Sequence, residues 1–298
     1  MKIKTVVLVL TLIFCQSTFS QELYSEINEK SNYNVTVKFK NNEQKQYTNV
    51  KFSKIYTSMK QSNSVMPSLK PLRINKLKKQ KVTIKQKKAK KIEIPKDSIN
   101  ELIIEDVKKN ITYTFRSLTI KQFDNDLNLV TVAENVLLPL RYSDSINIYG
   151  YKVITIDVYT EQKNGYSVRR EMPPTTTGIY YFLNHSDSDV AINPIDFSGG
   201  MFKTKLISDK FVATLKEVGK DCDAFVSQYD NYNYEKVSKK QAKEFMKTYK
   251  KKIKAIKKES KKLPKKERAA FMEEKYERIF MLDNFIKIID DYKKKCSK

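Results

Sequence analysis

The segment Tyr33–Phe52, YNVTVKFKNNEQKQYTNVKF, sets the fold. Val35, Val37 and Phe39 alternate with polar residues, the period of a strand with one buried face. Tyr47, Val50 and Phe52 follow across Asn41-Asn42, so the stretch reads as a β-hairpin. Outward from it, the β signature runs from about Asn32 to Gly200. Val82-Thr83-Ile84 and Ile92-Glu93-Ile94 are short strands, and Leu102–Ile104 pairs with Ile111–Phe115 across Lys108-Lys109-Asn110. Leu118–Val132, Ile146–Tyr159, and Ile179–Leu183 with Val190–Ile195 continue the pattern, the last two joined by a turn at Asn184–Asp189. Between Lys60 and Pro71, Pro67 and several serines read as a loop.

Around Asp209 the period changes. Phe211, Leu215 and Val218, then Cys222, Phe225 and Val226, recur at three- and four-residue spacing, as in short helices. Ser238 is placed to cap a long helix with Ala242, Phe245, Met246, Tyr249, Ile253 and Ile256 on its apolar stripe. Leu263-Pro264 breaks that helix, because proline fits only the first turn. A second helix carries Ala269, Met272, Tyr276, Ile279, Leu282, Ile286 and Ile289 on one stripe. The fold class is therefore α+β. A mainly antiparallel β region (21–205) precedes a C-terminal helical region (206–298) that ends in a lysine-rich antiparallel helical hairpin. The hairpin reads either as self-packed or as docking to a partner, and the reading makes it separable: a chain ending near Tyr234 keeps a folded β region.

The 298 residues carry 58 Lys+Arg against 34 Asp+Glu, a net charge of +24. Six glycines exclude Gly-rich nucleotide loops, and a single histidine excludes any site needing two imidazoles. The excess charge sits in two places: 12 basic residues against Glu93 between Lys70 and Lys96, and 16 against three glutamates between Lys236 and Arg268. A localised basic surface attracts anionic partners, and Lys78, Lys87, Lys88, Lys251, Lys258 and Lys262 are the candidate anion contacts. The competing reading is a solvated basic face, since almost all of the charge is lysine, a hydrated point charge rather than a bidentate fork.

Lys2 and Lys4, the apolar run Val6–Phe14, and Thr18 and Ser20 at the small positions form a secretory signal peptide over residues 1–20. The apolar run is about half of the roughly 20 residues a membrane span needs. Bulky Phe14 before Cys15 argues against lipidation. The protein is thus expected to be periplasmic, outer-membrane-associated or secreted, with no transmembrane span after cleavage. Two cysteines remain, Cys222 and Cys296. In an oxidising compartment an even pair suggests a disulfide, and two unrelated thiols is the alternative.

Little in the sequence selects a reaction. His185 lies in the polar turn Leu183–Asp187, and no Gly-x-Ser-x-Gly elbow accompanies it. Carboxylates pair at Asp124/Asp126, Asp187/Asp189 and Asp221/Asp223. Asp124-Asn125-Asp126-Leu127-Asn128 opens like a calcium loop, but Leu129 and Asn135 stand where that loop needs glycine and glutamate, so turn-forming acids are the better reading. No stacking aromatics alternate with the lysines, which disfavours nucleic acid as a partner. Asn34, Asn110 and Asn184 open N-x-Ser/Thr triplets that arise by chance in an Asn-rich chain. No metal ligand set or cofactor is expected.

Several stretches, Ile92–Ile99, Leu137–Leu140, Ile146–Tyr151, Ile179–Leu183 and Asp221-Cys222 followed by Asn231-Tyr232, together with the signal ending Phe19-Ser20-Gln21, carry a resemblance. They resemble β-rich secreted and periplasmic envelope proteins of Bacteroidetes type, over roughly residues 80–250. The resemblance implies an envelope location and no activity or site residues. The lysine-rich helices after Tyr249 depart from the pattern. Asp97-Ser98-Ile99 and Asp144-Ser145-Ile146 also resemble that phylum's Asp-Ser-aliphatic O-glycosylation acceptor, which puts forward Ser98 and Ser145. The function expected is that of an exported, non-enzymatic envelope protein, a structural or interaction module. Its basic helical extension would contact an anionic surface (lipid headgroup or polysaccharide) or an envelope protein. The alternative is a hydrolase of envelope glycans or lipids that uses one of the carboxylate pairs.

Overall fold

The computed structural model describes residues 31–52, 58–62, 77, 80–86, 90–108, 110–163, 165–171, 176–195, 204–230, 239–264, 268–277, 279 and 282–296. The signal segment and Lys78, Lys87 and Lys88 lie outside them. Among the described residues twelve strands come first: β1 (Tyr33–Phe39), β2 (Gln44–Phe52), β3 (Ser58–Ser62), β4 (Val82–Lys85), β5 (Ile92–Ile94), β6 (Ile99–Asp106), β7 (Ile111–Phe123), β8 (Leu129–Tyr142), β9 (Ile146–Lys163), β10 (Tyr166–Glu171), β11 (Thr176–His185) and β12 (Val190–Ile192). Helices α1 (Thr204–Val218), α2 (Asp223–Val226), α3 (Lys239–Ser260), α4 (Arg268–Glu277) and α5 (Asp283–Cys296) follow. The protein is α+β, a β-rich region followed by C-terminal helices. Among the described residues no helix is long and apolar enough to cross a membrane.

Asparagine makes the tight turns. Asn42 after β1 and Asn110 before β7 have φ of 66° and 54°, a left-handed conformation that Asn tolerates better than most residues. The first half of β7 pairs with β6, and the sheet continues from there through β1, β2, β4 and β5. The second half closes a ring. β7 pairs with β8, β8 with β9, β9 with β11, β11 with β12, and β12 returns in parallel to β7 through Val190–Ile192 against Thr119–Lys121. Leu118, Ile120, Val136, Leu138, Tyr149, Tyr151, Phe182 and Ala191 come from all five strands and fill a single core inside that ring. Where β8 lacks a neighbouring strand, the buried amide of Gln80 stands in for one. Its Nε2 donates to the Leu137 carbonyl at 2.9 Å, and the Leu137 N–H donates to its Oε1 at 2.9 Å. Lys60–Ser62, read as loop, belong to β3, which lies parallel to β9, and β10 is a further strand without a counterpart in the sequence reading.

Side chains on the opposite face of the ring meet the helices. Ile146, Ile148, Tyr181, Leu183 and Ile192 pack with Ile207, Phe211 and Leu215 of α1 and with Phe285, Ile288, Ile289 and Tyr292 of α5. A third core, formed by Val35, Val37, Phe52, Ile84, Ile94, Leu102 and their neighbours, fills the sheet's other half. α1 is also tied down by Lys210, which is buried and reaches the β7–β8 turn, where its Nζ donates to Asn125 Oδ1 at 3.3 Å.

Two expectations are corrected here. The stripe from Ala269 to Ile289 does not run along one uniform α-helix: α4 and α5 flank Ile279 and Leu282, which lie in a wider helical turn. The Tyr249 hydroxyl donates to the Ile279 carbonyl at 2.9 Å and satisfies an acceptor at that break. The helical region is also not packed on itself alone. α5 places four side chains in the core it shares with the sheet, and Cys296 at its end is disulfide-bonded to Cys222, 74 residues earlier. Burying four such side chains contributes on the order of 10 kcal/mol, comparable to the whole net stability of a domain. A chain ending near Tyr234 would leave that face of the sheet uncovered and is expected to be destabilised. The disulfide adds roughly 4 kcal/mol in the chain-entropy description. Cys296→Ser is expected to lower the denaturation midpoint, and reductant to lower the wild-type midpoint to match without moving the variant. Equal midpoints for oxidised wild type and variant would contradict this.

Candidate functional site

α3 presents the densest charge among the described residues. Its register follows from burial: Tyr249, Ile256 and Ser260 are buried, and Ile253 is half-buried. At about 100° per residue, with Lys243 as zero, Lys247, Lys250, Lys254 and Lys258 fall within about 60° of it, while Tyr249 and Ile256 lie about 120–140° away. All five lysines are exposed, and their row is about 22 Å long at 1.5 Å per residue. Lys251 and Lys257 widen the row, and Glu244 and Glu259 lie outside it. Lys251 and Lys258 thus belong to the face, and Lys262 is exposed in the turn just beyond α3. The turn is locked by Arg268, whose Nε and Nη2 donate to the carbonyls of Leu263 and Lys261 at 2.9 and 3.0 Å. Lysines in the last turn also suit the partial negative charge of a helix C-terminus.

The first basic segment is carried by other elements. β4 and β5 pack in the third core, and Lys81 there is paired with Glu93 at 3.2 Å. α3 packs through Tyr249 in the core of the helices.

His185 is not an isolated turn residue. The bend from Gly219 to Cys222 follows α1, with the Cys222 N–H donating to the Gly219 carbonyl at 3.0 Å. It needs glycine, because a Cβ there would lie 2.5 Å from the Phe225 ring. The bend turns Cys222 inward and leaves Asp221 beside His185. Asp221 Oδ2 accepts the Tyr292 hydroxyl at 2.7 Å and lies 3.2 Å from His185 Nε2. The Asp187 N–H points at His185 Nδ1 from 3.5 Å, and Nε2 faces Asp221. Burial, and then the neighbouring Asp221 carboxylate, push the Tyr292 phenol well above its ordinary range, so it stays a donor. Beside the cluster is a small cleft of about 140 Å³ between the β11–β12 turn and the end of α1. Neighbouring serines are engaged elsewhere: Ser186 Oγ donates to Asp187, and Ser188 Oγ accepts the Val190 N–H. The cluster works as a clasp. On the next residue of α5, Lys293 Nζ donates to Asp144 Oδ2 at 2.9 Å and holds that carboxyl below its usual range. The sequence carried a signal for the clasp in the cysteines, because Asp221 precedes Cys222 and Tyr292 stands one helical turn before Cys296.

The carboxylate pairs have structural surroundings. Asp124 Oδ1 accepts the N–H groups of Asp126 and Asn128 at 2.9 and 2.8 Å, and the Asn128 bond is the main cause of its lowered pKa. That is the turn-forming role, and a lowered pKa is opposite to what a general acid needs. Asp221 belongs to the clasp, and Asp223 is exposed in the first turn of α2. Ser98 Oγ donates to the Pro95 carbonyl at 2.7 Å, and the Ser145 hydroxyl to Asp144 at 3.3 Å, each within a turn. Asn184 is fully buried, and its amide donates to the carbonyls of Ser188 and Val190, both at 2.8 Å, so its triplet is a structural one.

No family model, no curated protein and no solved structure matches this chain.

Tyr292→Phe removes one bond to a half-exposed carboxylate and is expected to cost about 1 kcal/mol in chemical denaturation. Asp221→Asn should cost a similar amount, and the double variant less than the sum, since both act on one bond. Strictly additive losses would contradict the clasp.

Proposed function

We propose that the protein is an exported, non-enzymatic envelope module whose rigid β-rich body presents the α3 lysine face to an anionic partner. The observation that carries this reading is the exposed row Lys243, Lys247, Lys250, Lys254 and Lys258, on a helix anchored from behind by Tyr249 and Ile256. Such a row is costly through self-repulsion unless counter-charge is nearby, and it raises the local concentration of anions. Export is supported by the charged and apolar opening residues and by the Cys222–Cys296 disulfide, which suits an oxidising compartment. The resemblance to secreted envelope proteins of Bacteroidetes type points the same way. Asp124 and Asp221 and the hydroxyls of Ser186 and Ser188 are engaged in turn and clasp hydrogen bonds, which favours contact over catalysis.

The test is elution from an immobilised soluble polyanion such as dextran sulfate. Replacing the five lysines by glutamine should move elution to markedly lower salt, well beyond the effect of replacing five other exposed lysines such as Lys81, Lys85, Lys90, Lys91 and Lys108. Equal shifts for the two variants would show that net charge, not this face, governs binding, and would end the proposal.

A further inference from the structure

The form of the lysine face narrows the partner, and this inference rests on the reading above. The exposed described side chains of α3 are lysines together with Glu244, Thr248, Ala255 and Glu259. None is aromatic, none is arginine or an amide, and none is a large apolar group. Recognition of a polysaccharide or peptide strand uses a concave track with stacking rings and oriented donors. The cleft at His185 is built by the β11–β12 turn and the end of α1, and no described residue of α3 lines it. The amines instead project from a convex helix in more than one row. Lys251 and Lys257 flank the line through Lys243, Lys250 and Lys254, covering a sector of about 120°. A two-dimensional array of point charges on a convex surface matches a plane of distributed anions. It does not match a single threaded chain, which would meet one row at a time.

We infer that the face adheres to the anionic headgroups of a phospholipid bilayer, lying along the surface without inserting. Among the described side chains of the face no large apolar group is available to enter the acyl region, which separates it from amphipathic helices that embed one apolar side. The attraction is purely coulombic, weakens with each lost lysine by about fivefold, and is screened by salt.

The experiment is co-sedimentation of the full-length protein with vesicles of phosphatidylglycerol and phosphatidylcholine, against vesicles of phosphatidylcholine alone, at low and high salt. Binding is expected only to the anionic vesicles, reversed by salt, and without leakage of an entrapped dye. The five-lysine glutamine variant should lose it, and the matching five-arginine variant should keep it. All versions carry residues 1–20, so any affinity of that segment is common to them. A parallel arm measures binding to polygalacturonate. Lysine-dependent binding to polygalacturonate with none to anionic vesicles would overturn the bilayer inference while leaving the anion-contact reading in place. Loss of lysine dependence in both arms would overturn both. Dye leakage or salt-resistant binding that needs the lysines would overturn the non-inserting mode.

Discussion

The structure depends on one packing event, the return of α5 to the sheet. Phe285 lies 5.4 Å from the Tyr181 ring and 6.4 Å from the Phe211 ring, so one side chain touches strand, first helix and last helix together. Ile288, Ile289 and Tyr292 extend the contact, the Cys222–Cys296 bond closes it covalently, and the His185–Asp221–Tyr292 clasp and the Asp144–Lys293 pair align it. The apolar term is the large one; the exposed ion pairs contribute little more than register.

The same closure makes the lysine face a fixed object. α3 is held to the α4–α5 junction by the Tyr249 hydroxyl on the Ile279 carbonyl, and its turn by Arg268. The junction in turn is held by α5. A rigid row of like charges keeps less entropy in reserve than a tail of the same composition, so it loses less on binding a surface. The charge density alone would be equally consistent with a solvated flank; the fixed orientation is what supports a contact role.

Strand identity was legible because it is local. Val35, Val37 and Phe39 declare a period of two within five residues, and Asn42 and Asn110 mark turns by their tolerance of positive φ. The ring was not legible, because it closes through three residues of β12 lying parallel to β7 and through the short β8–β9 contact, and neither leaves a local periodic trace. The break between α4 and α5 was hidden for a different reason. Tyr276, Ile279, Leu282 and Ile286 keep three- and four-residue spacing across it, so the wider turn preserves the apolar phase. Of the candidate site, composition located the lysines, and the apolar stripe through Tyr249, Ile253 and Ile256 already indicated which of them face outward; the burial of Tyr249 and Ile256 agrees with it. The partners of His185 come from the α1–α2 bend and from α5, 107 residues away in the case of Tyr292, and no spacing rule joins them. The Asn184 triplet shows the converse error, since a motif defined by three letters carries no information about burial.

The most direct test of the account is amine-reactive footprinting in intact cells, with the isolated protein as reference and lysine modification quantified residue by residue. The account predicts that Lys243, Lys247, Lys250, Lys254 and Lys258 lose reactivity in cells and regain it in high salt, while Lys81, Lys85, Lys90 and Lys91 do not change. Uniform reactivity along the chain in both conditions, or protection confined to the first basic segment, would contradict it.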